Sequence, residues 1–143
     1  MEIVIKSIYL IGSLRNENVP LVGDKLRVAG FEVFDEWYSA GPEADDYFKK
    51  YYNERGVTYK DALKGYAAQH IFNFDKRHLD RCDSAILVCP AGRSGHLELG
   101  YMVGRGKPAY VFLDTEADRW DLMYKFATNI FFDITLLIEE LKK

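Results

Sequence analysis

At 143 residues the chain has the length of one ordinary domain, enough to bury a core without disulfide or metal staples. Its 19 Lys and Arg against 22 Asp and Glu leave a formal charge of −3, which offers no general positive field and argues against a nucleic acid polymer or an anionic membrane as partner. Apolar stretches are cut by charge or Gly well short of the ~20 residues of a membrane span, and the start Met-Glu-Ile-Val-Ile-Lys does not read as a signal peptide, so a soluble, cytoplasmic protein is expected.

The β-branched and aromatic run from Ile3 to Ile11 predicts a first strand that stops at Gly12-Ser13. The spacing of Leu21, Leu26 and Val28 predicts a helix ending at Gly30, and Phe31 to Phe34 reads as a second short strand. From Asp35 to Tyr59 the chain is rich in Tyr, Asp, Glu and Lys, with Gly41-Pro42 as a breaker and a polar, aromatic-studded helix from Glu43 to Arg55. This segment, about 37–60, reads as an inserted flap. The remaining pattern predicts a helix from Tyr59 to Arg81, a strand from Ser84 to Cys89, a helix from Gly95 to Gly104 and a strand from Ala109 to Leu113. A short helix from Trp120 to Thr128, a strand from Ile130 to Phe132 and a closing helix from Thr135 to Lys143 complete the chain.

Short, unbroken apolar strands that alternate with helices imply a parallel sheet covered on both faces. The expected architecture is α/β: a flavodoxin-like three-layer sandwich whose five-stranded parallel sheet has the order 2-1-3-4-5. With no repeat, low-complexity tract or linker, residues 1–143 form one domain. In such sheets ligands sit beyond the carboxyl ends of the strands, where the strand order reverses. Here those ends are Gly12-Ser13-Leu14-Arg15 and Pro90-Ala91-Gly92-Arg93-Ser94-Gly95.

Gly92, Ser94 and Gly95 precede a helix, so backbone N–H groups, the helix dipole and Arg93 can together hold an anion, although the spacing is neither Walker A nor G-x-G-x-x-G. Glu98 is expected in the first turn of that helix, where the dipole favours an ionised carboxylate; the position suits a nucleophile and equally a plain helix-start acid. Asp75 interrupts an apolar stripe of Ile71, Phe72 and Leu79, so burial would raise its pKa and make it a proton donor, unless a backbone or Arg partner simply satisfies it. Two carboxylates shifted in opposite directions would mark acid and nucleophile. Tyr9 can reach the end of its strand or stay in the core. Ser13 and Arg15 lie across the crevice from Arg93 and Ser94, offering two cations and two hydroxyls to a phosphate, or an exposed Arg with no ligand. Trp37, Tyr38, Phe48, Tyr51, Tyr52 and Tyr59 flank the Gly41-Pro42 turn, where rings suit a flat heterocyclic base or pack the insert onto the sheet. Cys82 and Cys89 read as small buried hydrophobes, and His70, His78 and His96 lack the spacing of a zinc pair, so neither metal nor cofactor is expected.

Three segments together resemble the nucleoside 2-deoxyribosyltransferase superfamily, including its nucleoside 5′-monophosphate N-glycosidase branch. They are Ile8-Tyr9-Leu10-Ile11-Gly12-Ser13-Leu14-Arg15, the pair Asp75 and Asp83, and Gly95-His96-Leu97-Glu98-Leu99-Gly100 followed by Gly106-Lys107-Pro108. The resemblance implies that Glu98 attacks the anomeric carbon, Asp75 manages the proton on the departing base and Tyr9 orients Glu98. It implies a phosphate cradle from Ser13, Arg15, Arg93, Ser94 and Gly95, beside which Gly12 and the rings of Trp37 and Tyr38 are expected to contact the base or sugar. Asp121 matches a position that a neighbouring subunit supplies to the 5′ end of the substrate, so a homodimer or higher even oligomer is implied. A carboxylate there suits a free hydroxyl, whereas the Ser13/Arg15 pair and Arg93-Ser94 favour a nucleotide. Gly92 stands where transferases carry an Asp. The activity implied is hydrolysis of the N-glycosidic bond of a nucleoside 5′-monophosphate, pyrimidine favoured. The alternatives are deoxyribosyl transfer between bases and a non-catalytic nucleotide-binding module.

Overall fold

In the computed structural model, residues 3–115, 117 and 119–143 are described. Five strands, β1 (Ser7–Ile11), β2 (Glu32–Phe34), β3 (Ser84–Val88), β4 (Ala109–Phe112) and β5 (Asn129–Phe131), pair in parallel in the order β2-β1-β3-β4-β5. This is the flavodoxin-like arrangement, and its order reverses between β1 and β3. Helices α1 (Asn18–Val28) and α6 (Ile134–Leu141) cover one face, and α4 (Tyr66–Arg81) and α5 (Arg93–Gly104) the other.

The alternation along β1 decides which side chain serves which layer, because successive residues of a strand point to opposite faces. Ile8 and Leu10 join Val19, Val22, Leu26, Leu137 and Leu141 under α1 and α6. Tyr9 and Ile11 join Leu79, Leu99 and Met102 under α4 and α5. Each such aliphatic side chain, fully buried, contributes about 1.5–3 kcal/mol.

β1 is shorter than its apolar run suggests. The carboxylate of Asp83 accepts the backbone N–H groups of Lys6 and Ser7, at 2.9 and 3.1 Å, and the ladder to β2 begins at Ser7 opposite Glu32. Ile3 and Val4 therefore lie outside the sheet, exposed.

The single helix expected from Tyr59 to Arg81 is two helices. Thr58 caps α3 (Tyr59–Ala62) by accepting from the Asp61 N–H at 3.2 Å, and Gly65, in an extended conformation, opens α4. A glycine inside a helical pattern costs about 1 kcal/mol, so the chain turns there instead. α5 begins at Arg93, two residues earlier than expected, and the segment from Trp120 to Thr128 forms only a 3₁₀ helix, Leu122–Phe126.

Between β2 and α3 lie a 3₁₀ helix, Glu36–Ala40, and α2 (Ala44–Glu54), which buries no residue. The rings of the insert stack mainly on one another: Phe48 meets Tyr52 at 4.9 Å and Tyr51 meets Tyr52 at 5.1 Å, while the Arg55 guanidinium sits 3.6 Å above Tyr51. Among the described residues, no helix is long and apolar enough to cross a membrane.

Candidate active site

Tyr9 is the centre from which the site is built. It is 1% exposed at mid-strand, opposite Phe34 in β2 and the small Ala85 in β3. Its ring leans on Phe34 at 5.0 Å, and Phe34 stacks on His78 at 3.8 Å with Phe74 beside it. Arg81 Nε donates to His78 Nδ1 at 2.7 Å, so the imidazole carries its proton on Nε2, and burial lowers its pKa. The ring behind Tyr9 is thus a neutral wall. Sequence reasoning did not assign Phe34, Phe74 or His78 to the site; the apolar residue that ends β2, the strand expected beside β1, was the available signal.

The Tyr9 hydroxyl donates to Glu98 Oε2 at 2.7 Å, across 89 residues of sequence. Gly95 makes this contact possible. It is buried where a Cβ would stand 3.1 Å from Ile11 Cγ2 and 3.2 Å from Leu87 Cδ1, so its absence lets α5 lie close on the sheet and carries Glu98, one turn on, over β1. Because α5 starts at Arg93, Glu98 falls in the second turn, beyond the strongest field of the helix terminus.

That position reverses the expected electrostatics. Burial raises the Glu98 carboxyl from the ordinary 4.5 to about 7; the Tyr9 hydrogen bond opposes the shift and the nearby negative charge of Asp75 adds to it. Burial also raises Asp75, which reaches the site from α4. The two carboxyls therefore move in the same direction, not in opposite ones, and Glu98 is half protonated at neutral pH. Burial, reinforced by both acids, raises Tyr9 far beyond the physiological range, so its hydroxyl remains a donor.

The loops at the strand ends carry the polar residues anticipated for an anion. Ser13 Oγ accepts the Arg15 N–H at 3.1 Å, a local turn that shapes the loop. Arg15 does not stand free: its guanidinium meets Asp46 of α2 at 2.9 Å, joining the insert to this loop. Arg93 and Ser94 lie exposed in the first turn of α5. Gly12 is a close approach, since a Cβ there would stand 2.8 Å from Val19 Cγ2 and 3.7 Å from the Trp37 ring. Trp37 Nε1 donates to the Leu10 carbonyl at 2.8 Å, which fixes the indole at the end of β1, and Tyr38 sets its edge against the indole at 5.9 Å. Both rings are half-buried against the sheet; Tyr59, at 77% exposed, is not.

Asp121 caps the 3₁₀ helix Leu122–Phe126, accepting from the Met123 N–H at 3.0 Å, and its side chain is exposed. The same helix is tied to the anion loop by residues that carried no assignment. The Gly92 carbonyl can only accept, so His96 Nδ1 donates to it at 2.7 Å, and in the neutral ring Nε2 accepts from the Tyr124 hydroxyl at 2.9 Å. Tyr124 in turn lies 3.6 Å from Cys89 Sγ. Both cysteines are unpaired and buried, and among the described residues no cluster of three or more His, Cys, Asp or Glu could hold a metal ion.

Fold and site together define a flavodoxin-like α/β protein in which a buried tyrosine of β1 holds the carboxyl of Glu98, with the charge of Asp75 nearby, beside the switch point of its sheet. No protein-family profile matches the chain, and no curated protein matches it. Among solved structures, it is similar to a 2-deoxyribosyltransferase from Bacillus psychrosaccharolyticus, with a TM-score of 0.64 and 21% identity over 92% of this chain and 90% of that one. A conserved protein from Enterococcus faecalis V583 superimposes with a TM-score of 0.65 and 14% identity, covering 96% of this chain and 98% of that one. The CMP N-glycosidase of Clostridium botulinum does so with a TM-score of 0.53 and 13% identity, covering 96% and 100%. At these identities the likeness is one of fold.

Proposed function

We propose that the chain hydrolyses the N-glycosidic bond of a nucleoside 5′-monophosphate, with a pyrimidine base favoured, to give the free base and ribose or deoxyribose 5-phosphate. The observation that carries this reading is the 2.7 Å hydrogen bond from Tyr9 to Glu98 with Asp75 beside it, below two loops that each present an arginine.

In this reading the ionised Glu98 attacks the anomeric carbon as the bond to the base breaks, and Asp75 in its acid form gives the proton to the departing base. Tyr9 holds Glu98 by donation and lowers its pKa against the burial that raises it. Water then attacks the glycosyl ester, Asp75 takes the water proton, and Glu98 leaves as carboxylate. Two displacements retain the configuration. Ser13, Arg15, Arg93, Ser94 and Gly95 cradle the phosphate, with Gly12, Trp37 and Tyr38 lining the base and sugar side. Asp121 would act from a neighbouring subunit of a homodimer or higher even oligomer.

Deoxyribosyl transfer is the second reading. It is favoured by the Arg15–Asp46 ion pair, which occupies one of the two guanidiniums a phosphate would need, and by the carboxylate of Asp121, which suits a 5′-hydroxyl. Chromatography of ribo- and deoxyribonucleosides and their monophosphates, each incubated with and without a second base, tests both. Base released from monophosphates without an acceptor is the expected result. A new nucleoside formed only with acceptor establishes transfer, and no product from any substrate leaves a nucleotide-binding module.

A further inference from the structure

The loops that bear the two arginines come from chain segments more than seventy residues apart, and one buried side chain joins them. Asn16, 8% exposed, directs its amide nitrogen at the carbonyls of Val88 and Pro90, at 3.3 and 3.2 Å, while its Oδ1 accepts the Asn18 N–H at 3.0 Å. Both amide hydrogens and the acceptor are thus engaged. Asn16 follows Ser13 and Arg15 on the β1–α1 loop, and Val88 and Pro90 precede Arg93 and Ser94 on the β3–α5 loop. A second tie runs beside it, from Asn18 Nδ2 to Asp114 Oδ2 at 2.5 Å, and reaches the loop after β4.

A carboxamide is the side chain this place needs. It offers two donors in one plane to two carbonyls and one acceptor to a backbone N–H, which neither Asp nor Ser can do. The backbone amides and cations of each loop gain their effect on a bound anion only if the two loops keep a fixed separation, since electrostatic stabilisation depends on groups already in place.

We propose that Asn16 is a positioning residue that locks the β1–α1 loop to the β3–α5 loop and so sets the preference for a 5′-phosphorylated substrate. The inference rests on the nucleotide-hydrolase reading for its kinetic consequence, but not for the tie itself. Asn16 touches no reacting atom; it acts through Ser13 and Arg15 on one side and Arg93 and Ser94 on the other.

Two measurements test it on the protein carrying Asn16→Ala, with Leu141→Ala, a core variant on α6, as the comparison for lost stability. The first is steady-state base release from a nucleoside monophosphate and from the matching nucleoside. Loss of the tie should raise KM for the monophosphate by about tenfold, because binding must then bring the two loops into register, and change that of the nucleoside by less than about threefold. A role in stability alone would instead affect both substrates alike and reproduce the Leu141→Ala profile. That outcome overturns the proposal.

The second measurement is peptide-resolved hydrogen exchange, which needs no turnover. Asn16→Ala should speed exchange in 87–94 as well as in 13–19; exchange confined to 13–19 refutes the tie. If the wild type releases no base from any monophosphate, the hydrolase reading fails and the exchange result alone decides the fate of Asn16. Should Asn16→Ala not fold, Asn16→Ser, which keeps one donor, takes its place in both measurements, with the same signs and smaller amplitudes.

Discussion

Replacing Glu98 by Gln is expected to stabilise the protein at neutral and alkaline pH while abolishing turnover. In the unfolded chain Glu98 titrates near the ordinary 4.5, and in the folded protein burial raises it to about 7. For an acid shifted upward, the native contribution is fully present below pH 4.5 and is lost as the pH rises through 7, because the unfolded chain releases its proton first. The difference of about 2.5 pH units, at 1.36 kcal/mol each, sets a ceiling of about 3 kcal/mol. Gln keeps the shape and an oxygen for Tyr9 to donate to, and it cannot ionise. The gap in stability between Glu98→Gln and wild type should therefore widen by about 3 kcal/mol from pH 4 to pH 8, or about 10 °C in Tm. Thermal melts of both proteins at the two pH values provide the assay, and effects common to both proteins cancel. A gap of the same size at both pH values would refute the buried, raised carboxyl and with it the electrostatic account of the site.

Tyr9→Phe removes the hydrogen bond that opposes the upward shift of Glu98, so the acid limb of the kcat/KM profile, expected near pH 7 in the wild type, should move to higher pH. Its rate at the optimum should fall about 10- to 100-fold, the worth of a hydrogen bond to a charged group; an unmoved acid limb would separate Tyr9 from Glu98. Gly95→Ala places a methyl against Ile11 and Leu87 and should cost about 1–3 kcal/mol in a denaturant titration, with a loss of turnover that exceeds the loss of folded protein because Glu98 moves with α5. Asp46→Asn frees Arg15 and should lower KM for a monophosphate by at most about fivefold, since exposed pairs are weak, and the gain should vanish in high salt. A KM that rises would show that Asp46 itself serves the substrate.

Local chemistry carried a large part of this structure in plain view. The apolar runs that became β1, β3 and β4, with Gly12 and Gly30 as punctuation, imply strands followed by helices, and the handedness of crossovers then leaves few orders besides β2-β1-β3-β4-β5. Asp75 could be singled out as a carboxylate in an apolar stripe, Glu98 by its place at the start of a helix and Tyr9 by its place near the end of the first strand, and the family resemblance joined the three. What needed tertiary structure was their environment. Whether Glu98 is ionised depends on how closely Gly95 lets α5 approach β1 and on the charge that α4 brings, neither of which is written within a few residues of Glu98. The same holds for the capture of Arg15 by Asp46 and of two distant carbonyls by Asn16. Periodicity and turn preference act over a few residues and determine elements, whereas burial and partnership arise only when elements meet, so the elements were decided by the sequence and the protonation and reach of the site by their packing.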